Sequence, residues 1–229
     1  MTPALFWGRF PSDWVYDGGL KAFSWKTHGS AGTAALRLYT VLAHWLQEDD
    51  GIVRVSYDTL MSNANLSRES VSRGLDLLQG QDLIERGVAG RSSFRFRGYD
   101  PKRGWAKLPA RRLYQRGTFV PFSKWTMRGV AELDAIKLYL FIAACRDNDQ
   151  NATFTNYIHI KEGAAIPSDP RITGGLSLLT VSGLLYTTEL AREGYGYSRS
   201  YRLIGLDSHR HGGTTGRADT PGGTASVPF

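Results

Sequence analysis

The sequence repeats itself at a spacing of about one hundred residues, and that repeat limits the fold more than any other feature. Residues 93–100 read SFRFRGYD and residues 200–207 read SYRLIGLD, sharing serine, aromatic, arginine, apolar, glycine and aspartate in one order. At an offset of 100, Trp25 falls on Trp125, Gly29 on Gly129, and LRLYTVLA (36–43) on IKLYLFIA (136–143). At an offset of 101, VSRGLDLL (71–78) falls on ITGGLSLL (172–179), and Leu83 on Leu184. A period this long implies one fold unit used twice, each copy large enough for its own core.

Within a copy, AALRLYTVLAHWLQ carries apolar residues at helical spacing, with Thr33 as a capping candidate. DDG turns the chain and IVRV reads as a short strand. Ser56 suits the cap of a second helix, YDTLMSNA, and Ser67 that of a third, RESVSRGLDLLQ. LIER, a glycine-bearing loop and SFRFR then make a hairpin. Helix, strand, helix, turn, helix, hairpin is the order of a winged helix-turn-helix. The expected fold class is therefore α+β, with two tandem winged helix-turn-helix domains. Their spans are 1–100, with an aromatic lead-in, and 121–208. A basic linker fills 101–120, and a Gly-, Thr- and Pro-rich tail at 209–229 is expected to be disordered.

Charge placement gives the first functional clue. The formal net charge is +7, yet basic and acidic residues balance at eleven each through Asp100 and stand at eleven against ten from Pro121 onward. Residues 101–120 hold six basic residues, Arg111, Arg112 and Arg116 among them, and no acid. Such a segment attracts polyanions. A single cysteine, Cys145, fits a reducing, cytoplasmic setting without a disulfide framework. No apolar run approaches the 18–20 residues of a membrane span.

Chemistry other than binding finds no support. There is no phosphate loop, no nucleophile with a recognisable base and no zinc spacing; His209 and His211 stand alone. The expectation is a non-enzyme without metal or cofactor. In the third helix of the first copy, Val71, Gly74, Leu75 and Leu78 share a packing face. Ser67, Arg68, Ser70, Ser72 and Arg73 occupy the opposite side and the N-terminal end, where a recognition helix meets base edges and phosphates. In the hairpin, alternation turns Phe94 and Phe96 inward and Ser93, Arg95 and Arg97 outward, with Arg91 at the wing. The second copy offers Arg171 and Thr173 on its third helix, and Arg199 and Arg202 on its hairpin, where Ser200 should also point out. These are the candidate contacts to double-stranded DNA. Trp105, inside the basic stretch, is the one tryptophan kept as a candidate nucleic-acid contact.

An aromatic lead-in, the ALRLY and AIKLY first helices and LSRESVSRGL resemble elements of plasmid replication initiator (Rep) proteins, over roughly residues 10–207. LSRESVSRGL is shared with other bacterial winged-helix regulators. The resemblance implies binding to origin repeats, host replication proteins as partners, a homodimer, and association with the nucleoid or a plasmid. In that family the C-terminal module is often the stronger reader; here the N-terminal one carries the richer helix. A transcriptional regulator and a protein-interaction scaffold on the same fold are the rival readings.

Overall fold

A computed structural model describes residues 3, 5–46, 50–190 and 198–206. The tail expected to be disordered, with His209 and His211, lies outside the described residues. The architecture is mixed α+β with small antiparallel sheets. Strand β1 (Trp7–Pro11), short helices α1 (Asp13–Tyr16) and α2 (Trp25–His28), and the long α3 (Ser30–Trp45) open the chain. There follow β2 (Ile52–Arg54), α4 (Tyr57–Ala64), α5 (Arg68–Gly80), β3 (Ile84–Arg86) and β4 (Ser93–Phe96). Next come β5 (Trp105–Pro109), β6 (Tyr114–Gln115), β7 (Thr118–Phe119) and the long α6 (Val130–Ala144). The chain closes with β8 (Thr153–Thr155), α7 (Tyr157–Gly163), α8 (Asp169–Val181), β9 (Leu185–Leu190) and β10 (Ser198–Leu203).

Helices α3 and α6 form the centre. Each is buried on all sides over most of its length, so the few polar residues it carries, Arg37 and Lys137 among them, are buried with it. Helix α5 packs on α3 and α8 on α6, while α3 and α6 pack on each other. Close approach depends on glycine. A Cβ on Gly74 would sit 2.7 Å from Leu38 Cδ1 and 3.0 Å from the Ala35 nitrogen; on Gly175 it would sit 2.6 Å from Leu138 Cδ1 and 3.2 Å from the Ala135 nitrogen. The three-stranded sheets have matching orders, β2-β4-β3 and β8-β10-β9. Helix caps recur too: Ser56 accepts from Thr59 N at 3.2 Å, and Asn156 accepts from His159 N at 3.0 Å. Left-handed backbone returns at Asn65 and Ala165, both just before the third helix of the repeated order.

Two buried cations occupy matching positions. The Arg37 guanidinium donates to the carbonyls of Ala64, Asn65 and Phe122. Lys137 donates to the carbonyls of Ala165 at 2.9 Å and Phe23 at 3.3 Å. Each therefore ties the turn before its own third helix to the segment that leads into the other central helix.

Three expectations are corrected. Thr33 is not a cap: α3 begins at Ser30, and Thr33 is buried within it. Residues 101–120 are not a free linker. Strand β5 pairs antiparallel with β1, burying Ala106 and Leu108, and the β6–β7 hairpin buries Tyr114 and Phe119. The alternation Trp-Ala-Lys-Leu-Pro supplies one apolar face to the core and keeps its cation outside. Ser93 and Ser200 do not face solvent. The Ser93 hydroxyl closes its loop, accepting from Ala89 N at 2.8 Å and donating to Gly90 O at 2.6 Å. Ser200 lies on a central strand between Phe154 and Thr188.

Candidate nucleic-acid interface

The first turn of α5 is organised by Ser67, whose hydroxyl oxygen accepts from Ser70 N at 3.2 Å. Val71, Gly74, Leu75 and Leu78 are buried against the core, so the opposite face is turned outward. That face presents Arg68, Glu69, Arg73 and Asp76 exposed, with Ser70 and Ser72 half-buried beside them. Its arginines already have acidic neighbours: Arg68 lies 3.7 Å from Asp58, and Arg73 lies 3.8 Å from Glu69. Both guanidiniums stay well exposed, at 73% and 59%, so these pairs are weak and a phosphate can displace them.

Strand β3 joins this face through Arg86, which pairs with Asp76 at 2.5 Å and donates to the Tyr57 hydroxyl at 3.2 Å. The Arg68 guanidinium lies 5.6 Å from the centre of the Tyr57 ring. Tyr57 thus positions two arginines, a role that sequence reasoning missed, although Tyr57 and Tyr157 match at the repeat offset. On the sheet, Arg95 pairs with Glu85 at 3.6 Å, and Arg97 pairs with Glu85 and Asp82 at 3.5 and 3.4 Å. Arg91 is exposed in the β3–β4 loop. Glu69 and Asp76 lie on the outward face of the helix as the sequence spacing expects; Asp58, Asp82 and Glu85, which also moderate this surface, were missed, because their pairings cross elements.

The second half is built differently. Arg171, expected as a DNA contact, is engaged by a buried acid. Its guanidinium makes a two-pronged pair with Asp134, both contacts 2.7 Å, and that carboxylate is only 1% exposed. A buried carboxylate needs a charge partner, and removing it would strand the charge. The difference between Ala34 and Asp134 was the available signal. Thr173 and Arg199 are brought together by Tyr157, whose hydroxyl lies 3.2 Å from Thr173 Oγ1 and accepts from Arg199 at 2.5 Å. Arg202 lies across from Tyr186, a half-exposed aromatic. The outer side of this half also carries Ile158 and Phe154, 65% and 40% exposed.

Arg111 and Arg112 are exposed beyond β5, each 5.4 Å from the Phe6 ring centre. Arg116 is exposed in the tight β6–β7 turn, with φ of +49°. Burial pushes the Cys145 thiol up to about 11, which suppresses the nucleophilic thiolate. Among the described residues, no helix is long and apolar enough to cross a membrane. No protein-family model matches the chain, and no curated protein matches it.

Proposed function

We propose that this chain is a sequence-specific double-stranded DNA-binding protein made of two winged helix-turn-helix units. In this reading it is a replication initiator of a plasmid or another mobile element. The observation that carries the DNA reading is α5: a serine-capped helix held to α3 by Gly74, with Arg68, Ser72 and Arg73 facing away from the core. Such a face suits the major groove, where arginine pairs with guanine and free amides of the first turn meet phosphate. The matching sheet orders and glycine contacts support the tandem reading. The initiator assignment rests on the resemblance of the aromatic lead-in and LSRESVSRGL to Rep proteins. A homodimer and host replication proteins are the partners it implies. A transcriptional regulator would use the same DNA chemistry.

The test is selection of bound duplexes from a random library, followed by titration of the enriched site. Arg73→Ala should weaken that site by about 1–3 kcal/mol and relax one or two positions, with a smaller loss on random DNA. Glu69→Gln, which removes the acid beside Arg73, should tighten both. Equal losses of Arg73→Ala on selected and random DNA would refute base reading by this helix. One observation favours a second reading for the C-terminal half: exposed Phe154, Ile158 and Tyr186, with Arg171 taken up by Asp134, suit a protein partner better than a base-reading helix.

A further inference from the structure

The basic stretch belongs to a two-stranded ribbon, and its outer face has a composition of its own. In the β1–β5 register Arg9 lies directly opposite Lys107, while Phe10 and Leu108 turn into the core. The outward positions on either side of that cationic pair are Trp7 and Trp105, both partly exposed. Their rings are parallel within 4°, with centres 6.0 Å apart. The Arg9 guanidinium lies 5.0 Å from the Trp105 ring centre, and the Lys107 ammonium 4.6 Å from that of Trp7. Aromatic faces and cations therefore alternate along one short surface.

Both ends of the surface continue the charge. Lys102 and Arg103 are exposed just before β5, and Arg111 and Arg112 just after it. Among the described residues, Asp100 pairs with Arg103 at 3.2 Å, Asp13 and Asp149 border the groove beside the ribbon, and Arg9 donates to the Tyr99 hydroxyl at 3.2 Å. Lys107 is held below the ordinary lysine value, first by partial burial and then by Arg146 and Arg9.

We infer that the outer face of the β1–β5 ribbon binds single-stranded DNA, its unpaired bases stacking on Trp7 and Trp105 and its phosphates meeting Arg9 and Lys107. Stacking is what separates this occupant from a duplex. Duplex bases are covered by their neighbours, so partly exposed indole faces gain little from a double-stranded backbone; an unpaired base has a free π-face. Cations beside aromatic platforms form the general arrangement for strand binding without sequence preference. The inference does not need α5 to read duplex DNA, because the ribbon and that helix face are separate surfaces.

The experiment measures anisotropy of a labelled twenty-nucleotide oligothymidine with the full chain, against an abasic strand of the same length and a duplex control. The oligothymidine should bind, and the abasic strand should bind about tenfold or more weakly. Trp7→Leu should weaken oligothymidine binding by about 5- to 150-fold, the range for loss of one stacked base. Lys107→Gln, a change outside the core, should lower the salt slope by about 0.7. Arg73→Ala should leave single-strand binding intact, whatever it does to the duplex, so this inference and the duplex reading can fail separately. No binding by the wild-type chain would overturn the inference. So would equal binding of the abasic strand, wild-type binding by both ribbon variants, or a loss in Arg73→Ala as large as in Trp7→Leu.

Discussion

His44 gives the sharpest stability prediction. It lies at the end of α3, fully buried, with its ring 5.1 Å from Phe119 and 5.6 Å from Tyr114 between centres. Nδ1 is 2.9 Å from the Tyr114 hydroxyl, and Nε2 has no hydrogen-bond partner among the described residues. Burial holds its pKa down to about 3. In the unfolded chain histidine titrates near pH 6.5. The unfolded state thus takes up a proton that the folded state refuses, and stability falls as pH drops below about 6.5 towards 3. At about 1.36 kcal/mol per pH unit, the loss between pH 7.5 and 5.5 is about 1.4 kcal/mol, and by pH 5 about 2 kcal/mol. Urea unfolding at these pH values measures it, and little carboxylate titration intrudes above pH 5. His44→Phe keeps the ring volume and should abolish the slope, whatever it does to absolute stability. A wild-type chain equally stable at pH 7.5 and 5.5, or a variant that keeps the slope, would refute the argument.

Two further predictions concern neighbouring chemistry. Gly174 and Gly175 are adjacent in α8, yet a Cβ on Gly174 meets nothing within 4 Å and one on Gly175 would press on Leu138 at 2.6 Å. Gly174→Ala should therefore stabilise by about 0.5–1 kcal/mol, and Gly175→Ala should destabilise by about 1–2 kcal/mol after its helix gain, as read from thermal melts. Burial lowers Lys137 to about 8, so this site adds stability as pH rises from about 8 towards 10.4, and the gain is lost as pH falls back through 8. Cys145, held up to about 11, titrates in the opposite sense. Buried Tyr39, Tyr114 and Tyr139, also raised by burial, oppose the rise as pH nears 10, so it should be measured between about pH 8 and 9.5 in Cys145→Ala, where Lys137→Met should remove it.

Local order was legible where one residue pattern has one physical solution. Val71, Gly74, Leu75 and Leu78 are spaced for a single helix face, and that face is the buried one. Ser56 and Ser67 cap as their positions ask, because a hydroxyl oxygen there reaches an otherwise unpaired amide. What escaped were pairings over long sequence distances. Nothing local to Trp105–Pro109 announces a strand whose partner lies near residue 7, so charge alone suggested a linker. Arg171 reads as a free cation until Asp134, thirty-seven residues earlier, is seen beneath it. Ser93 follows strand alternation in sequence but turns its hydroxyl into its own loop.

The same distance effect changes how the two halves relate to a ligand. A flexible linker would make the second half's contact a matter of local concentration, set by linker length. With residues 105–119 folded into ribbon and hairpin, that freedom is gone. The buried cations go further. Arg37 holds the Ala64–Asn65 turn, which sets the entry of α5, and the same guanidinium holds the Phe122 carbonyl ahead of α6. Lys137 repeats this with Ala165, ahead of α8, and Phe23, ahead of α3. Neither cation can be moved to water without leaving buried carbonyls unpaired, which costs about 1–3 kcal/mol for each group left unsatisfied. The positions of α5 and α8 are consequently fixed by the packed pair α3 and α6, and each depends on chain from the other half. Any ligand that spans both helices must match that fixed spacing. For such a ligand, precise placement would replace tethering as the source of joint affinity, because little orientational freedom is left to lose on binding.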